Sequence, residues 1–148
     1  MSLTQIEKEM NAAQHLLYVS LKYTKTGDVI LNLMHRWQQM IEICVDSLLN
    51  KAKKKKLTKE IPTTPKQKVE LLQKIFKKEP VVLETLLLYS FFRRLYSLEM
   101  VKEHEFRKNV TLRVIDISGK EIAIDVEKLK EWGLVLENFI KFVRAFTA

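Results

Sequence analysis

The chain has 148 residues, a net charge of +8 and 47% hydrophobic side chains, with three glycines, three prolines and one cysteine. That length suits one domain over residues 1–148, and the apolar fraction excludes wholesale disorder. So few turn formers and one thiol exclude loop-rich β architectures, disulfide frameworks and multi-cysteine zinc modules.

The longest apolar run, near Val81–Phe92, is broken by Glu84 and closed by Arg93-Arg94. A membrane span needs roughly 20 uninterrupted apolar residues. The N-terminal residues lack a basic segment followed by an apolar one, so no leader is expected and the chain reads as cytoplasmic.

Overlapping capping boxes, Ser2-x-x-Gln5 and Thr4-x-x-Glu7, predict a first helix to about Tyr23. Its inward stripe is Leu3, Ile6, Met10, Ala13, Leu17 and Leu21. Thr26-Gly27-Asp28 breaks the chain, with Asp28 as the next cap. A second helix follows from about Val29 to Lys54, on the stripe Ile30, Met34, Trp37, Ile41, Cys44 and Leu48. Leu33, Met40, Val45 and Leu49 widen that stripe, as several neighbours require. Cys44 lies on it and reads as a buried, inert thiol. After a polar connector from Leu57 to Thr63, Thr64-Pro65-Lys66-Gln67 starts a short third helix with Val69, Leu72 and Phe76 inward.

Pro80 opens a fourth helix predicted to reach Arg107. Between Val81 and Leu98 it is apolar on nearly every side, which predicts the centre of a bundle. Tyr89, Arg93 and Tyr96 share one side of it, and Glu42, Asp46 or Glu84 are the candidate partners for Arg93. Period-two segments, Val110–Ile117 and Glu121–Val126 around Ser118-Gly119, predict a β-hairpin over 110–126. Asp125 caps a last helix to about Phe146, with Leu129, Trp132, Leu136, Phe139, Val143 and Phe146 inward. The predicted fold is mainly α: an up-and-down bundle of four to five helices with a small β-hairpin before the C-terminal helix.

The charge is local. Residues 51–78 hold eleven lysines against Glu60 and Glu70, and the rest of the chain is nearly neutral. Lys51, Lys53, Lys54, Lys55, Lys56 and Lys59 are therefore candidate phosphate contacts for RNA or another polyanion, or else the solvated, dipole-matched end of a helix. No glycine-rich phosphate loop or zinc spacing is present. His15, His35 and His104 fall on different segments, so no metal and no cofactor is expected. His104 and Arg107, three apart at the end of the fourth helix, are candidates for a general base and phosphate clamp in metal-free RNA cleavage. The alternative is a helix C-terminus dressed with cations.

Two long antiparallel helices, a basic connector, a short helix and a long helix ending in Arg107-Lys108-Asn109 together resemble the HEPN superfamily over residues 4–109. The resemblance implies a helical bundle that often dimerises, with members that are metal-independent ribonucleases and others that are inactive RNA-binding or scaffold proteins. Arg107 and, loosely, Asn109 match its motif. The downstream positions are Thr111, Leu112, Arg113 and Val114, where the family carries a histidine. The expectation is accordingly a non-catalytic, RNA-binding or interaction protein, homodimeric and free of membrane. A metal-independent ribonuclease and a structural subunit of a complex are the alternatives.

Overall fold

The computed structural model describes residues 2–148, with the side chains of Ser2 and Leu3 outside the description, so the Ser2 cap and the Leu3 position fall there too. α1 (Ser2–His15) already contains Thr4, which therefore does not cap it. One π-helical turn, Leu16–Ser20, and α2 (Leu21–Tyr23) continue α1 as a single rod. α3 (Gly27–Lys54), α4 (Pro65–Ile75), α5 (Pro80–Arg94) and α6 (Val126–Thr147) complete five helical rods. Among the described residues no helix is long and apolar enough to cross a membrane.

Caps follow local chemistry. Thr26, not Asp28, caps α3: its Oγ1 accepts from Val29 N at 3.3 Å, while Asp28 sits one residue inside. Thr64 Oγ1 accepts from Gln67 N at 3.3 Å, with Pro65 at the first helical position. Asp125 Oδ1 accepts from Lys128 N at 2.8 Å and starts α6.

The axis of the bundle is α3, not the fourth helix. α1, α4, α5 and α6 all pack on it, and it buries Ile30, Leu33, Met34, Trp37, Met40, Ile41, Cys44, Val45, Leu48 and Leu49. α5 buries Val82, Leu86, Tyr89, Phe91 and Phe92 but turns an open face to solvent, with Leu87 68% exposed. Apolar residues all round a helix thus overstate its centrality when one side is simply uncovered. The predicted continuation to Arg107 is also corrected. α5 ends at Arg94, a 3-10 turn covers Leu95–Ser97, and the chain enters β1 (Glu99–Glu103). Ser97 Oγ donates to the Arg94 carbonyl at 2.6 Å, satisfying one carbonyl of the helix end. From there the pattern has period two: Leu98 and Met100 pack on the core.

β1 pairs antiparallel with β2 (Thr111–Ile115), which pairs antiparallel with β3 (Glu121–Ile124). The predicted hairpin is therefore two strands of a three-stranded sheet, and the third strand supplies support that a lone hairpin lacks. Val110, Leu112, Val114 and Ile124 are buried on its inner face. On the outer face Arg113 joins the strands, with Nε on Glu103 at 2.8 Å and an η-nitrogen on Glu121 at 3.2 Å. Lys102 crosses to α3, where its Nζ meets Asp28 at 2.8 Å and its stem lies over Gly27.

The β2–β3 turn is organised by Asp116. Its Oδ1 accepts from Ser118 N at 2.9 Å, Ser118 Oγ at 2.6 Å and Lys120 N at 2.9 Å. Gly119 takes the left-handed conformation at φ 85°. The Ser118 hydroxyl, chiefly, holds the carboxyl below the ordinary aspartate range. A depressed folded value gives stabilisation that is present above the unfolded pKa of about 4 and lost as pH falls through the folded one. Urea midpoints of the wild type should exceed those of Asp116→Asn near neutrality and converge with them in acid. A gap that does not change with pH would remove the carboxylate charge from the turn's stability.

Phe92 stacks near Trp37 with ring centroids 6.2 Å apart and meets Trp132 edge-on at 5.8 Å. Phe92→Ala should destabilise the fold by about 3–5 kcal/mol in urea titration. Leu87→Ala, on the open face of α5, should stay within about 0.5 kcal/mol.

Candidate nucleic-acid interface

The lysine tract and the His104/Arg107 pair do not form one site. Lys51 to Lys56 occupy the C-terminal end of α3, whereas the β1–β2 loop lies at its N-terminal end, where Phe106 N donates to the Lys25 carbonyl just before α3. With 28 residues in α3, the two ends are about 40 Å apart.

At the tract, structure absorbs part of the charge. Lys53 and Lys54 lie in the last turn of α3, where cations oppose the helix dipole. Lys51 Nζ donates to the Ala148 carbonyl at 3.3 Å, and Lys55 Nζ stands 4.3 Å from the centroid of the Phe146 ring. Lys56 (φ 60°) turns the chain out of the helix, and Lys59 is exposed in the connector.

His104 and Arg107 stand on the β1–β2 loop instead of a shared helix face. Both are exposed, and the Arg107 backbone N–H donates to the His104 carbonyl at 3.1 Å in a turn. His104 and Phe106 take positive φ, 54° and 64°, which is strained for side chains of this kind. The Phe106–Lys25 backbone hydrogen bond helps to hold that shape. Among the described residues neither the His104 nor the Arg107 side chain has a hydrogen-bond or ion-pair partner. Among the described residues no hydrogen bond or ion pair therefore orients the imidazole as a general base.

The same loop forms one wall of a cleft of about 510 Å³. Leu17, Leu21 and Val126 make its apolar floor, and Tyr18, 51% exposed, stands at its edge. Lys22, Lys25, Lys108 and Lys130 surround it from α2, the α2–α3 loop, the β1–β2 loop and α6. Asn109 and Thr111 lie on the wall, with Thr111 Oγ1 donating to the Asn109 carbonyl at 2.8 Å. Asp125 and Glu127 are the acids present, and Asp125 is committed to the α6 cap. Among the described residues none of the four lysines is paired with a carboxylate. Lys25 Nζ donates to the Lys22 carbonyl, which draws the two together. Tyr23 and Phe106, exposed at 78% and 76%, stand on the adjoining segments.

Of the residues singled out from the sequence, Asn109 lines this cleft. Tyr18, Lys22, Lys25, Lys108 and Lys130 were not singled out, because they are scattered over four segments. One local signal was readable. Ala13, Leu17 and Leu21 are spaced by two successive fours, which on a helix of 3.6 residues per turn drifts about 80° off the core face. The wide π turn at Leu16–Ser20 takes up that drift, keeps Leu17 and Leu21 buried, and opens the cleft beside them.

Two other groups are structural. Tyr89 Oη donates to Glu42 Oε2 at 2.9 Å, and burial, then the carboxylate, push its phenol above the ordinary range. Arg93 is exposed and lies 5.9 Å from the Tyr89 ring centroid; of the three acids expected for it, Glu42 accepts from the tyrosine and Asp46 pairs with Lys68, and among the described residues Arg93 pairs with none of them. Cys44 is fully buried, and desolvation pushes its thiol up to about 12. Among the described residues no group of three or more His, Cys, Asp or Glu side chains could hold a metal ion.

Compared with known proteins, the chain matches no family model, no curated sequence and no solved structure.

Iodoacetamide should leave Cys44 unmodified in the native protein at pH 8 and label it fully in denaturant, as followed by intact mass. Rapid native labelling would show that α3 is open where it is described as packed.

Proposed function

We propose that the chain binds single-stranded RNA at the Tyr18–Lys108 cleft without cleaving it. The observation that carries this reading is a ring of four lysines about an apolar floor with an aromatic edge, lysines that among the described residues pair with neither Asp125, Glu127 nor any other carboxylate. Like charges held around a concavity repel one another, and a phosphate backbone relieves that repulsion while releasing its counterions. Tyr18 offers a face for a base, and Phe106 and Tyr23 are further exposed rings on the adjoining segments. Stacking of this kind needs bases that are not paired, which favours a single strand over a duplex. The proposed absence of cleavage rests on His104 and Arg107, whose side chains have no hydrogen-bond or ion-pair partner among the described residues. This reading coincides with the inactive, RNA-binding branch of the HEPN-like expectation.

Fluorescence anisotropy with a labelled oligouridylate, measured against salt, tests it. The triple variant Lys22→Ala/Lys108→Ala/Lys130→Ala should weaken binding and lower the log–log salt slope by about 2, at about 0.7 per phosphate contact on a single strand. Lys53→Ala/Lys54→Ala/Lys56→Ala should change it much less, and the RNA should stay intact on a gel with EDTA present. A larger loss from the second triple would move the polyanion to the other end of α3. Absence of binding at low salt would discard the reading.

A further inference from the structure

A second concavity, of about 610 Å³, lies between α1 and α3 on the other flank of the π turn. His15, at the end of α1, and His35 and Arg36, on α3, line it with Asn32 and Gln39. All five are exposed, and Ala12 and Leu16, which also line the groove, are half-buried. No carboxylate lines this groove. Arg36 holds Glu9 at 3.3 Å and keeps further donors in its guanidinium. A guanidinium beside two imidazole N–H donors suits a phosphate. The Asn32 and Gln39 amides both donate and accept, which suits ribose hydroxyls or base edges.

The two concavities share one ridge. His15, Tyr18, Val19 and Lys22 follow one another at helical spacing, and all four are exposed. Leu16 faces the His15 groove and Leu17 the lysine cleft, so the ridge separates them by the width of the rod. Along the axis, the seven steps from His15 to Lys22 span about 10 Å. Tyr18 and Val19 between them are 51% and 40% exposed, an apolar crest over which a base can lie.

We propose that a bound strand leaves the lysine cleft over the Tyr18–Val19 crest and enters the groove between α1 and α3. There His15, His35 and Arg36 hold its backbone as a second subsite. This rests on the cleft being a single-strand site, and it adds the direction of the strand and the minimum length of ligand. RNA long enough to cross the crest binds at both subsites, and shorter RNA binds at the cleft alone.

The test compares labelled oligouridylates of about 4 and about 12 nucleotides, bracketing ordinary single-strand site sizes. Wild-type protein should bind the longer one tighter per binding register by about tenfold, the scale of one added stacked base or a pair of phosphate contacts. His15→Ala/His35→Ala should lose that gain on the longer strand and leave the shorter strand's affinity unchanged, which also reports that the variant is folded. Tyr18→Ala should weaken both. If the histidine variant binds both lengths like wild type, the second subsite is overturned while the cleft reading stands. If the variant loses the shorter strand as well, the separate subsite is overturned too. If wild type binds neither length, both readings fall together.

Discussion

The packing around Trp37 is the constraint on which the rest depends. Trp37, on α3, is buried against Phe92 of α5, and a Cβ added at Gly133 of α6 would lie 3.7 Å from its ring and 3.6 Å from Leu17. Four rods therefore meet at one place: Leu17 from the α1 rod, Trp37 from α3, Phe92 from α5 and Gly133 from α6. A glycine there lets α6 approach the other helices at ordinary van der Waals distance. Leu17 belongs equally to this junction and to the cleft floor. The shape of the cleft is thus tied to the core, and its wide turn is not free to relax into a regular helix without moving Leu17 off Gly133.

What the sequence made legible was whatever short-range physics decides. Helical stripes located α1, α3, α4 and α6 to within a few residues, and the Thr64-Pro65 and Asp125 caps stand where chain chemistry puts them. The segment after Arg94 was not legible as a strand. Leu95 to Glu105 mixes good helix formers with a weak alternation, and only pairing with β2 makes the extended form the better one. That pairing is non-local to any helical window, so a helix read onward from Pro80 ran through it. The role of axis went to the wrong helix for a related reason. Periodicity counts apolar faces, but whether a face is covered depends on how many neighbours arrive. α3 receives four and α5 leaves Leu87 in water.

Charge was harder to place than hydrophobicity. Adjacent lysines at 53–56 dominate any linear reading, yet they sit where a helix end and the Phe146 ring already account for several of them. The lysines around the cleft are 22, 25, 108 and 130, two of them separated from the others by more than eighty residues. Each is unremarkable alone. Folding gathers them because the β1–β2 loop is pinned to Lys25 by a backbone hydrogen bond and α6 starts beside it. Asn109 was within reach of sequence reasoning because it lies on that loop, though the reason for its position is the sheet and not a helix end.

The loop and the π turn share a logic. Each is a local departure from the cheapest backbone: a turn wider than the α-helix at Leu16–Ser20, and left-handed φ at His104 and Phe106. Such departures persist where surrounding contacts over-determine them. Here the first is held by Leu17 and Leu21 in the core, and the second by the Phe106–Lys25 backbone hydrogen bond. The π turn lines the cleft through Leu17 and Tyr18, and the β1–β2 loop lines it through Lys108 and Asn109, just after its left-handed residues. The core holds the first and a backbone hydrogen bond the second, and the space between the two elements is open, lined by lysines and edged by Tyr18.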